Sequence, residues 1–96
     1  QKQSYSGHED GVAGVLEEQL KKKGFDSVTV DKYRNVIGCI KGNRPGKKIL
    51  FDGHIDTVPV TDETEWQYPP FAAEIQDGKI YGRGTSDMKG AVAGFV

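Results

Sequence analysis

Cysteine is nearly absent from this sequence: Cys39 is the single thiol. One cysteine excludes an internal disulfide and speaks against a small secreted scaffold, so a reducing, cytoplasmic setting is expected. Cys39 has no histidine near it in sequence. It stands in the alternating run Val36-Ile37-Gly38-Cys39-Ile40, which predicts a small buried strand residue and not a catalytic thiol. Long apolar runs are missing too. None approaches the ~20 residues that cross a bilayer, and no secretory signal opens the chain. Nor is there an excess of positive charge. Thirteen basic against 14 acidic residues give a formal net charge of -1, mixed along the chain. That is unlike the basic footprint of a nucleic-acid binder. Apolar residues themselves are scarce, 35% against 28% charged, which is little for a domain covering both faces of a sheet. Within 96 residues these figures bound the chain to one small domain or part of a larger one. The expectation is a fragment whose core is completed by other residues.

What is present is mostly local pattern. Ser6-Gly7-His8-Glu9 has the form of a capping box, with Ser6 as N-cap and Glu9 three residues on. Val12, Val15, Leu16 and Leu20 then recur at helical spacing, and Glu17–Lys21 and Glu18–Lys22 are favourable i,i+4 pairs. Lys21-Lys22-Lys23 suits the negative end of a helix dipole, and Gly24 suits the position after it. These signals predict a helix over 7–23. Residues 27–31 and 36–41 predict two antiparallel strands around a turn at 33–35. Ile49-Leu50-Phe51 is a continuous apolar run, the mark of a central strand buried on both faces. Residues 54–70 form a long connection with Pro59, Pro69 and Pro70, of the kind that is often functional. Residues 72–75 and 79–81 flank Gln76-Asp77-Gly78, a hairpin signal. From Asp87 the pattern Met88, Ala91, Val92, Phe95 predicts a helix that is still running where the sequence ends. No repeat or low-complexity tract is present.

Two stretches can carry chemistry. His54 follows the predicted central strand, at the carboxyl edge where open α/β sheets bind ligands. Asp56 is close enough to accept the second ring N–H of His54, as carboxylates do behind metal-bound imidazoles. A bare His-x-Asp is short and common, and by itself reads as a loop histidine beside a turn aspartate. The second stretch is Tyr81-Gly82-Arg83-Gly84-Thr85-Ser86-Asp87-Met88-Lys89-Gly90. Asp87 reads either as a helix cap or as a carboxylate bridging two metal ions. The Gly-Lys-[Ser/Thr] ending of a phosphate-binding loop is absent. His8, at a helix start, reads as a solvent-facing residue. Trp66, Tyr68 and Phe71 read as packing for the Pro-rich loop, ahead of a role at a substrate entrance. Arg83 reads as a brace for its own loop through an acidic partner.

In this order and at this separation, Gly53-His54-Ile55-Asp56-Thr57-Val58-Pro59 and Gly82-Arg83-Gly84-Thr85-Ser86-Asp87-Met88-Lys89-Gly90 resemble one family. It is the metallopeptidase family of acetylornithine deacetylase, succinyl-diaminopimelate desuccinylase, aminoacylase and related di-zinc carboxypeptidases. Trp66, Pro70-Phe71, residues 77–82, Tyr33-Arg34-Asn35-Val36-Ile37-Gly38 and Ser4-Tyr5-Ser6-Gly7 fit the same order, so the resemblance covers nearly the whole chain. Among its branches the chain is most similar to the deacetylase-like hydrolases linked to selenium metabolism.

The resemblance implies an α/β fold: the N-terminal part of a three-layer α/β/α catalytic domain with a mixed sheet. It implies that His54 ligates one metal, that Asp56 orients it, and that Asp87 bridges two. It also implies a cis peptide at Asp87–Met88. The cofactor would be two Zn2+ ions, with Co2+ or Mn2+ able to substitute. The reaction would be hydrolysis of an amide bond in an N-acyl amino acid or small peptide, in a homodimeric parent. The family's glutamate general base, its remaining ligands and its smaller inserted dimerisation domain have no counterpart here, so the chain alone is expected to be inactive and to bind zinc weakly. A truncated or degenerate relative serving as a binding or structural module is the competing reading; activity of the full-length parent that chelation removes and zinc restores separates the two. A third reading is an aminopeptidase of similar fold. Asp56-Thr57-Val58-Pro59 favours the deacylase and carboxypeptidase branch over it.

Overall fold

Helix α1 (Asp10–Lys22) is the longest element of the computed structural model, which describes residues 2–96. Its buried residues, Ala13 and Leu20, lie on one face, and Asp10 and Lys21-Lys22 suit the two ends of its dipole. The Glu17–Lys21 and Glu18–Lys22 ion pairs form on the exposed side, at 2.5 and 2.6 Å. Gly24, at φ +80°, ends the helix as expected, with its N–H on the Lys21 carbonyl and the Phe25 N–H on that of Leu20. The start differs from expectation. The N-cap is Glu9 and no side chain caps the helix. Gly7 turns the chain at φ +86°, and the Glu9 carboxylate accepts from the Gly7 N–H at 2.6 Å. The Ser6 hydroxyl faces a different partner, described below.

Strands β1 (Ser27–Val30) and β2 (Val36–Cys39) pair antiparallel, with Ser27 opposite Cys39 and Val30 opposite Val36. Asp31 organises the turn between them. Its carboxylate accepts from the backbone of Tyr33 and Asn35 and from the Asn35 amide. The Asn35 side chain is the main reason its pKa lies below the ordinary carboxylate value. Arg34, at φ +68°, reaches across to pair with Asp10 at the start of α1. Helix α1 packs on the hairpin where β2 carries Gly38: a Cβ there would meet Phe25 Cδ1 at 2.8 Å and Leu20 Cδ1 at 3.1 Å. Because successive strand residues face opposite ways, Ile37 and Cys39 point away from α1. Cys39 is therefore exposed, against the expectation of a buried thiol.

Ile49-Leu50-Phe51 also departs from expectation. The run forms no strand, and its residues are 80, 88 and 69% exposed. A central strand needs a neighbour on each side, and no described strand pairs with it. Phe95 makes a lateral ring contact with Phe51 at 5.5 Å. The second hairpin forms as predicted, with β3 (Glu74–Gln76) antiparallel to β4 (Lys79–Tyr81). Asp77 and Gly78 both have positive φ, as a two-residue hairpin turn of this hand requires.

Helix α2 (Gly90–Phe95) begins later than expected. Asp87 lies before it in extended backbone, within a wide turn over Thr85–Lys89 closed by the Lys89 N–H on the Gly84 carbonyl. Residues 4–6 run beside 55–57, joined by a parallel bridge between Tyr5 and Thr57. The chain is thus α/β, with helices and small antiparallel strands. Among the described residues no helix is long and apolar enough to cross a membrane.

Candidate metal centre

The segment that ends at Gly53 brings His54 into the lining of a cleft of about 310 Å³. His54 Nδ1 lies 3.0 Å from Asp56 Oδ1 and 3.1 Å from the Asp56 carbonyl oxygen. Its other nitrogen, Nε2, lies 2.8 Å from Asp87 Oδ1, on the far side of a 33-residue separation. The two stretches singled out in the sequence therefore converge. Gly84 is what lets them approach. It adopts φ +81°, and a Cβ there would sit 2.6 Å from Thr57 Cγ2. The peptide after Asp87 is cis, as expected.

The donor set has a direct chemical consequence. An ionised carboxylate only accepts hydrogen bonds. Both His54 nitrogens face such acceptors, Nδ1 at Asp56 and Nε2 at Asp87, so the charged ring donates at both, while a neutral ring that keeps its N–H toward Asp56 has a lone pair on Nε2. That lone pair faces a second carboxylate, Asp87. Two acceptors 2.8 Å apart are compatible only when a proton or a cation lies between them. A proton can meet this need: the Asp87 hydrogen bond, followed by that of Asp56, raises the His54 pKa above its ordinary 6.5. Asp56 shifts the other way: the Ser6 hydroxyl first, and His54 after it, lower its pKa. A divalent cation fits the same place. It would take Nε2 and Asp87 as ligands, while Asp56 fixes the tautomer from behind.

This linkage gives a pH prediction. The charged ring is favoured in the folded state, so its contribution to stability is full below about 6.5 and fades as pH rises through the elevated folded value. Asp87→Asn is expected to move the His54 pKa down toward 6.5, read by an NMR titration of the ring protons of the metal-free protein. An unchanged pKa would mean that Asp87 does not hold the imidazolium.

The cleft is also lined by Trp66, Arg83 and Ser86. The Arg83 guanidinium stacks on the Trp66 ring at 4.9 Å, and its backbone N–H donates to the Pro70 carbonyl. Pro70 is fully buried, so this loop is anchored. Tyr68 packs on Tyr81 with ring centroids 4.5 Å apart, and Phe71 lies edge-on to Tyr5 at 6.3 Å. Those two aromatics hold the loop down, as expected, whereas Trp66 also faces the cleft. His8 is exposed and takes no part.

Residues 50–96 match the model of Peptidase family M20/M25/M40. The matched segment contains His54, Asp56 and Asp87, and the match supports a hydrolase of the metallopeptidase class. It begins at Leu50, so α1 and the first hairpin lie outside it. Among the described residues no group of three His, Cys, Asp or Glu side chains is arranged to hold a metal ion. His54 and Asp87 are a pair, and catalytic zinc takes three protein ligands. Ser6 was legible only as a helix cap. No local signal connects it to Asp56, fifty residues away.

Proposed function

We propose that these residues form the N-terminal part of the catalytic domain of an M20-type metal-dependent hydrolase, acting on an amide bond of an N-acyl amino acid or small peptide. His54 and Asp87 would ligate the metal, Asp87 as a ligand shared by two ions, and Asp56 would orient His54. The observation that carries this reading is the approach of Nε2 and Asp87 Oδ1 to 2.8 Å with Nδ1 already committed to Asp56. Zinc suits this donor set, and cobalt or manganese can replace it. When bound, the metal supplies Lewis-acid polarisation and an activated water.

The chain's own residues do the positioning. Asp56 keeps the ring in the tautomer that presents Nε2. The Thr85–Lys89 turn sets the Asp87 carboxylate opposite it. Trp66 and Arg83 form a wall of the cleft beside the pair. We assign the remaining ligand positions and the general base to further residues of a longer, homodimeric parent chain. The single cysteine suits a cytoplasmic setting for it.

The test is hydrolysis of a panel of N-acetyl and N-succinyl amino acids and dipeptides by the full-length protein. Chelation is expected to abolish turnover, and added zinc to restore it. Full turnover in excess chelator, or none on any amide with zinc present, would reject the assignment.

A further inference from the structure

We propose that Ser6 is a positioning residue of this site, its hydroxyl clamping Asp56 so that Asp56 in turn holds His54. The inference rests on the metal-site reading and extends it to a residue far away in sequence. Ser6 Oγ donates to Asp56 Oδ2 at 2.5 Å, while Asp56 Oδ1 accepts from His54 Nδ1 at 3.0 Å. Each carboxylate oxygen thus has its own partner, so rotation of the Asp56 carboxyl group breaks one contact or the other.

The backbone just ahead of Ser6 is anchored. Ser4 is fully buried, and its hydroxyl donates to the Ile55 carbonyl at 2.7 Å. The Thr57 N–H donates to the Ser4 carbonyl at 2.7 Å. Lys89, two residues beyond Asp87, donates to the Lys2 carbonyl at 2.8 Å. The first residues of the chain therefore touch both stretches of the site, and they enter it through one side chain, Ser6. Its place ahead of α1 invites a capping role, yet the helix has no side-chain cap. The Ser6 hydroxyl is committed to Asp56.

Partners that orient a metal-bound histidine typically affect metal affinity by about 10–100-fold. Ser6 acts one hydrogen bond further out, so Ser6→Ala in the full-length protein is expected to weaken zinc binding roughly 3- to 10-fold, below that range. Ser6→Thr, which keeps the hydroxyl, is expected to restore it. Affinity is read by competition with a chromogenic chelator. In the metal-free protein the His54 Nδ1–H is expected to exchange with solvent faster in Ser6→Ala than in the parent and in Ser6→Thr. This second readout is independent of metal: if the protein takes up no zinc, the metal reading fails while the exchange rate still decides the clamp.

A double-mutant cycle with Asp56→Ala separates clamping from damage to the fold. If Ser6 acts through Asp56, then Ser6→Ala adds nothing in the Asp56→Ala background. Equal effects in both backgrounds, or parental exchange in Ser6→Ala, would overturn the proposal.

Discussion

Asp87→Ala in the full-length protein is expected to lower kcat/KM for amide hydrolysis by at least about a thousandfold, equivalent to about 4 kcal/mol of lost transition-state stabilisation. Asp87 has 86% of its side chain exposed and faces His54 Nε2 at 2.8 Å. Its surroundings are not arranged for burial, so the substitution leaves no cavity and its effect on stability should be small. Activity and stability therefore separate cleanly. On the proposed assignment, metal content per chain is expected to fall in parallel, since Asp87 would be a ligand of the site. Asp87→Asn tests charge alone, because it keeps the volume while removing the anion. Turnover within about tenfold of the parent, with metal content unchanged, would remove Asp87 from the site.

Gly84→Ala is expected to destabilise the fold by roughly 2–5 kcal/mol, a large part of the stability of an ordinary domain. Two effects add. A left-handed backbone costs a residue with a Cβ about 1–2 kcal/mol, and Gly84 sits at φ +81°. The added methyl would also lie 2.6 Å from Thr57 Cγ2, an overpacked contact of the kind that costs about 1–3 kcal/mol. Thr57 is itself buried and bound to the Ser4 carbonyl, so it has little room to retreat. Relief requires the two stretches to move apart, which separates His54 from Asp87. Urea unfolding and kcat/KM should both fall, unlike the Asp87 variants, which should lose activity alone. A midpoint equal to that of the parent would show that the loops do not need this close approach.

The approach of the two stretches was legible through their resemblance to the metallopeptidase family, since a bare His-x-Asp reads as a loop histidine beside a turn aspartate and Asp87 as a helix cap. The resemblance set His54, Asp56 and Asp87 together, and the structure brings their side chains within hydrogen-bond reach. Short-range pairings were legible too. The Asp77-Gly78 turn, the turn at 33–35 and the Glu–Lys pairs on α1 depend on residues within a few positions of one another. Choices between distant partners were not. Alternation along β2 defines two faces without saying which is covered, and Gly38, by admitting Leu20 and Phe25, draws α1 to the side away from Cys39. The Ile49–Phe51 run shows that burial is favoured without naming a neighbour. Ser6 has a hydroxyl that suits a helix end equally well, and only the approach of residues 4–6 to 55–57 gives it Asp56 instead. The glycines and Asp87 read as a helix opening, yet the turn at Thr85–Lys89 keeps Asp87 extended and delays α2 to Gly90.

The bare ribbon through Ile49, Leu50 and Phe51 sets the reach of the imidazole. His54 follows Phe51 by three residues, so any sliding of the ribbon along its own axis carries the ring with it. A shift comparable with the 2.8 Å that separates His54 from Asp87 would carry the ring out of reach of its partner. The Phe51–Phe95 ring contact and the close seat of Gly53 against Met88 tie this segment to the turn and helix that carry and follow Asp87, and so help to keep His54 within its reach.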